Sequence, residues 1–162
     1  MSEKERVLHR LRELGISYEL TEHIAVFTIE EMAATGIESM GEICKNLFLR
    51  DAKGRSHFLV LIPGHKQADL AMIGEKLGSG KLSFASEERL MRYLGLTRGA
   101  VTPFGLINDE ALAVTVVLDA QLASRTRLGF HPNVNTATVF LSYADLMRFF
   151  ADCGNPVVIL DM

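Results

Sequence analysis

Apolar residues fall at two spacings along the chain, and the switches between them mark out its elements. Val7, Leu8, Leu11 and Leu14 recur at helical intervals ahead of Gly15, predicting an amphipathic N-terminal helix that stops at the glycine. Thr28-Ile29-Glu30-Glu31 carries the reciprocal capping pattern and predicts a short helix over Ile29 to Thr35, closed by Gly36. Leu47 to Arg50 and His57 to Ile62 are strand-like apolar runs. Asp51-Ala52-Lys53-Gly54 between them suits a tight turn, so the pair reads as an antiparallel hairpin. Asp69 and Ser86 are placed to cap helices running to Leu77 and Leu94, each followed by glycine, with Lys81 to Phe84 between them as an edge strand.

The second half repeats these signals. After a loop around Thr102-Pro103-Phe104-Gly105, Ala111 to Leu118 and Thr136 to Leu141 read as strands because β-branched and apolar residues run on in them. Ser142 opens a helix with Leu146, Phe149 and Phe150 on one face, Gly154 closes it, and Val157 to Leu160 form a last strand after Pro156. Helices and strands mix without regular βαβ alternation. The expected fold is therefore α+β, a mixed, mostly antiparallel curved sheet with surrounding helices.

Composition narrows the class. The chain has 162 residues, 48% hydrophobic and 23% charged, close to the average of globular proteins and far from that of disordered ones. No Pro/Gly/Ser-rich linker or repeat divides it, so one domain over residues 1–162 is expected. The longest apolar run, Phe58 to Pro63, is far short of a membrane span, and the polar N-terminus lacks a signal-peptide core, which predicts a cytoplasmic protein without membrane partners. Cys44 and Cys153 show no metal-type spacing and read as packing residues. The net charge of −3 argues against wrapping a long nucleic acid, but not against gripping one RNA end.

Familiar catalytic motifs are missing: Gly-x-Ser-x-Gly, Walker A, His-Glu-x-x-His and Gly-x-Gly-x-x-Gly do not occur, and neither metal nor cofactor is called for. What remains is a set of short blocks. Lys45-Asn46 precedes the apolar Leu47-Phe48-Leu49, and an ammonium against such a wall would hold a phosphate or a developing negative charge better than in open water. By itself it reads more readily as a solvated lysine at a strand end. Gly129-Phe130-His131-Pro132-Asn133 combines close backbone approach, stiffness and two polar side chains, so it can aim N–H groups at an ester carbonyl, or be a rigid turn. Thr102-Pro103-Phe104-Gly105 is a second stiff segment, or a plain connector. His23 and His65 stand alone and are assigned no role.

Together, Lys45 to Leu49, the Thr102 to Leu106 segment, Leu112 to Asp119 and Gly129 to Asn133 resemble the YbaK/aminoacyl-tRNA editing family. In order and spacing they are most similar to its free-standing alanyl-tRNA(Pro) deacylases, relatives of the editing insertion of bacterial prolyl-tRNA synthetase. The resemblance spans nearly the whole chain and implies hydrolysis of the ester between a wrong amino acid and the terminal adenosine of tRNA, without metal or covalent intermediate. It implies catalytic roles for Lys45, on the terminal nucleotide, and for His131. It implies substrate contacts for Asn46, Thr102, Pro103, Phe104, Gly105, Gly129, Phe130, Pro132 and Asn133. Gly129 and Pro132 enclose two residues where some members have three.

The expected partner is the acceptor end of tRNA(Pro), with prolyl-tRNA synthetase or an elongation factor as a source of substrate. Alanine is the expected wrong amino acid, because a site built for proline rejects smaller molecules poorly and a second sieve must clear them. Three other readings stand beside this one. They are a cysteinyl-tRNA(Pro) deacylase, a non-catalytic module that binds aminoacyl-tRNA ends, and a lysine Schiff-base enzyme.

Overall fold

A computed structural model describes residues 1–162, the side chain of Ile29 excepted. In chain order the elements are α1 (Glu3–Glu13), β1 (Glu19–Glu22), α2 (Ile29–Ala34), β2 (Glu42–Asp51), β3 (His57–Pro63), α3 (Leu70–Leu77), β4 (Leu82–Phe84) and α4 (Glu87–Leu94). There follow β5 (Val114–Asp119), β6 (Leu128–Phe130), β7 (Ala137–Leu141), α5 (Tyr143–Cys153) and β8 (Val157–Leu160), with 3₁₀ turns at Ile37–Met40, Pro103–Asn108 and Ala120–Ser124. The helix starts are where side-chain oxygens satisfy the first free N–H groups: Thr28, Asp69, Ser86 and Ser142 each accept from the third residue onward. Ser2 does the same for α1 in a full capping box with Glu5.

The strands form one mixed sheet in the order β1-β7-β6-β2-β3-β5-β8, with β4 also on β2. Antiparallel pairings join β1 to β7, β6 to β7, β2 to β3 and β2 to β4, while β2–β6, β3–β5 and β5–β8 are parallel. The largest core cluster packs Val7 and Leu11 of α1, Leu90 and Leu94 of α4, and Phe149 and Phe150 of α5 with alternate residues of the central strands. A second cluster lies under α3, around Leu49, Val60, Ile62 and Ile73. No helix among the described residues is long and apolar enough to cross a membrane.

One strand organises the functional part. β2 pairs with β3 from Cys44 to Arg50 on one edge. On its other edge it meets β6 only through Glu42–Ile43 and β4 only through Leu49–Asp51, with one more bond from Ala85 N to Phe48 O at 2.9 Å. Between those neighbours that edge is open. Backbone groups of alternate residues turn to the same edge of a strand. Glu42 N bonds Arg127 O toward β6, so Cys44, Asn46 and Phe48 face the same way and Asn46 presents its N–H and C=O to the gap.

Candidate active site

The gap in β2 opens onto a cavity of about 200 Å³. Lys45 and Asn46 line it from β2, Gly129, Phe130 and His131 from β6 and the residue after it, and Thr138 from β7. The parallel register of Ile43 with Gly129 is what sets these distant segments side by side. Glycine is needed there, because a Cβ at Gly129 would lie 2.7 Å from Phe140 Cε1 and 2.9 Å from Ile43 Cδ1. Val26, Met32 and Ile43 supply apolar walls. Phe27, 64% exposed, stands at the mouth against Gly99, where a Cβ would lie 2.5 Å from its ring.

Lys45 is held rather than loose. Its Nζ donates to the carbonyl of Lys66 at 2.8 Å, leaving two of the three ammonium hydrogens for a ligand. That carbonyl is in place because the chain turns sharply after β3, Lys66 N bonding Pro63 O at 3.1 Å. The turn lies so close to β2 that a Cβ at Gly64 would be 2.3 Å from Ile43 O. The Lys66 side chain runs the other way, to Asp119 Oδ2 at 2.7 Å and to the carbonyl of Met162. Asp119 is fully buried at the end of β5, and its Oδ1 accepts from Gln121 N at 2.9 Å. A rigid central strand thus fixes the acceptor on which Lys45 rests.

Asn46 donates from Nδ2 to Cys44 O at 3.3 Å, while its Oδ1 is buried with no partner among the described residues. Such an orphan acceptor costs about 1–3 kcal/mol, a penalty that a ligand's donor would remove. His131 donates from Nδ1 to the carbonyl of Ala137 at 2.9 Å, so in the neutral ring the lone pair is on Nε2. Burial lowers its pKa from the ordinary histidine value; the Ala137 carbonyl opposes this and nearby His23 adds to it. His131 is therefore a neutral imidazole at physiological pH. His23, its ring centroid 6.0 Å away, bonds the carbonyl of Ile24 at 2.8 Å through Nδ1 and Thr138 Oγ1 at 2.9 Å through Nε2. A carbonyl can only accept, so Nδ1 carries the hydrogen in that contact, and in the matching tautomer Nε2 accepts a hydrogen bond from the Thr138 hydroxyl, leaving that oxygen's lone pairs free.

Cys44 also lines the cavity. Burial, reinforced by Glu42, pushes its thiol pKa far up, so it stays protonated and packs instead of attacking. Cys153 is pushed up to about 11, again chiefly by burial.

Of the residues that the sequence marks out, Lys45, Asn46, Gly129, Phe130 and His131 share this cavity. The others lie elsewhere. Thr102 to Gly105 is not an exposed loop but the buried start of a 3₁₀ turn: Thr102 Oγ1 accepts from Phe104 N at 3.3 Å, and the Phe104 ring packs edge-on against Phe130 and Phe149. Gly99 and Val101, just before it, line the cavity instead. Pro132 and Asn133 are buried and are not among the residues that line the cavity. Asn133 adopts a left-handed φ of 61°, tolerated by asparagine, and reaches Glu3 Oε2 at 3.4 Å. Sequence reasoning missed Val26, Met32, Gly99, Val101 and Thr138, and left His23 without a role. For the stretch around Val26 the sequence offered two signals, the cap Thr28 and a family resemblance that takes in Tyr18 to Thr28.

Taken together the site offers a fixed cation, an open strand edge, an amide oxygen without a partner among the described residues, a neutral imidazole and a small chamber with both apolar and polar walls. A family model for the aminoacyl-tRNA editing domain matches residues 23–149. The prolyl-tRNA editing protein ProX of Acetoanaerobium sticklandii is 50% identical over 162 residues, covering 100% of this chain and 99% of that protein. The prolyl-tRNA synthetase associated domain-containing protein 1 of Danio rerio is 38% identical over 152 residues, 93% of this chain and 82% of its own. The fold matches a crystal structure described as a candidate trans-editing enzyme for prolyl tRNA synthetase, with a TM-score of 0.72 at 22% identity, covering 100% of this chain and 98% of that one.

Proposed function

The chain belongs to the aminoacyl-tRNA editing domain family, and from that premise we propose that it is a free-standing deacylase that clears wrong amino acids, alanine above all, from tRNA(Pro). The observation that carries this reading is the joining of Lys45 and the Gly129–His131 segment across one small cavity. At about 200 Å³ it lies below the roughly 300–1,000 Å³ of sites for drug-sized ligands. That suits a small acyl group, and the preference for a methyl side chain over a pyrrolidine ring rests on the family resemblance.

In this reading the acylated ribose lies along the gap in β2. The two free hydrogens of the Lys45 ammonium and the Asn46 N–H stabilise oxygen as charge grows on it, which is the largest lever available to an esterase. Water adds to the carbonyl carbon, the bond to the ribose oxygen breaks, the amino acid leaves as a carboxylate and the ribose hydroxyl is restored. His131 orients that water through Nε2, and the neighbouring ribose hydroxyl of the substrate assists, as the family resemblance implies. The substrate comes from a prolyl-tRNA synthetase whose own site admits alanine.

Deacylation of a panel of mischarged tRNAs tests this directly. Alanyl-tRNA(Pro) is expected to turn over, prolyl-tRNA(Pro) to survive, and cysteinyl-tRNA(Pro) to be the closest competitor. Equal rates on the alanyl and prolyl esters would end the size-exclusion account.

The depressed His131 pKa adds a pH signature. With a folded value below the ordinary 6.5, the ring is neutral at and above pH 7, so kcat/KM should be flat there and fall only as pH drops below 6.5. His131→Ala should remove that acidic limb and cost about tenfold, less than the roughly 10²–10⁴ of full general-base transfer. An unchanged acidic limb in the variant would take His131 out of the reaction.

A further inference from the structure

A second cavity, of about 580 Å³, shares Asn46 and Val101 with the first. Leu47 and Phe48 of β2 form its floor, Phe84 of β4 one wall, and Ser86, Glu87 and Arg98 its polar rim. Phe84 is 63% exposed at the end of the short edge strand. Single exposed apolar residues are common and need no reason. This ring differs in lining a cavity that shares two residues with the site already described.

We propose that this second cavity is the seat of the nucleoside that carries the ester, its base stacked on Phe84; the inference rests on the deacylase reading above and deepens it. An aminoacyl nucleoside has two unequal ends, a small acyl group and a large flat base, joined by a polar ribose. The protein has two unequal cavities, about 200 Å³ and about 580 Å³, joined at the open edge of β2. At that junction sit the Asn46 N–H and C=O and the buried, unpartnered Asn46 Oδ1, which lacks a donor of the kind a ribose hydroxyl supplies. Every base offers a face to stack on an aromatic ring, so Phe84 supplies affinity without reading identity. Arg98 is tied only loosely to Glu87, at 3.7 Å with both side chains well exposed, and is available to the phosphate on the 5′ side. Stacking also answers the charge problem, because a chain of net charge −3 gains little from phosphates alone.

The chain contains no tryptophan, so Phe84→Trp installs a sole tryptophan at the seat, excited at the red edge of the indole band where the three tyrosines do not absorb. Adding AMP should quench its emission saturably, whereas the emission of a separate Ile159→Trp variant, at an exposed position on β8, should not respond. Phe84→Ala should raise KM for alanyl-tRNA(Pro) by about five- to a hundredfold, the range expected for losing one base–aromatic stack. Its kcat should hold within about twofold, and Phe84→Tyr should restore KM. AMP should inhibit the unaltered protein competitively and Phe84→Ala only weakly. An unquenched Phe84→Trp that still deacylates its substrate, or a Phe84→Ala that loses kcat instead of KM, overturns the seat. Quenching by AMP in a protein that hydrolyses no aminoacyl-tRNA would instead keep the seat and remove the deacylase reading.

Discussion

Lys45→Ala is expected to lower kcat/KM for alanyl-tRNA(Pro) by about 10²–10³-fold, the cost of removing one preorganised donor to a developing oxyanion. Its thermal midpoint should stay within a few degrees. The two expectations separate because the Lys45 ammonium makes its contact on one backbone carbonyl at the cavity edge, and a carbonyl beside a cavity regains its partner from water at little cost. Lys45→Met sharpens the test, since it keeps an unbranched apolar stem and removes only the charge. Both variants should fail alike in single-turnover assays with enzyme in excess, where weaker binding no longer limits the rate. Near-normal turnover in either would mean that the ammonium acts on nothing in the reaction, and the site would have to be rebuilt around the strand edge and His131.

What could be read from the sequence was whatever short-range chemistry decides. Thr28, Asp69, Ser86 and Ser142 cap helices where their side chains meet the next free N–H groups, and the glycines at 78, 95 and 154 take the left-handed conformation that ends three of them. The hairpin of β2 and β3 followed from its turn, Asp51 Oδ1 accepting from Arg55 N and Ser56 N. What could not be read was set by partners far along the chain. β1 is four mostly exposed residues, Glu-Leu-Thr-Glu, strand only because β7 pairs with it. β2 begins at Glu42, ahead of its apolar run, because β6 pairs with its first residues. β6 hides in a glycine–proline block that reads as loop.

Asp109 shows the same limit from another side. Its carboxylate takes Ala113 N at 3.1 Å and Val114 N at 2.9 Å, and Leu112 turns to a φ of 54°. Strand β5 therefore starts at Val114, although the apolar run starts earlier. At the site, Lys45 and the Gly129 block could be named one by one, but their meeting depends on a two-residue parallel pairing that no local pattern encodes. The burial of Phe104 depends likewise on Phe130 and Phe149, and from sequence its Pro and Gly neighbours point to a loop instead.

Asp119→Asn is expected to reduce stability and turnover together, for one reason. Asp119 is completely buried and Lys66 mostly so, at 0% and 21% side-chain exposure. Removing one partner of a buried pair costs about 3–5 kcal/mol. Because the Lys66 amine can still turn toward water, about 2–3 kcal/mol is expected here, or a midpoint lower by roughly 5–10 °C in a domain of this size. Turnover should fall as well, in assays run well below the midpoint, because the Lys66 carbonyl that holds Lys45 loses its anchor on β5. A second variant separates the two effects. Lys66→Met with Asp119→Leu removes both charges at once, and an apolar pair of similar size often matches a buried ion pair in stability. That double variant should melt close to the unaltered protein yet remain slow. Full activity in a stable double variant would show that the ion pair braces the fold alone and that Lys45 finds its position without it.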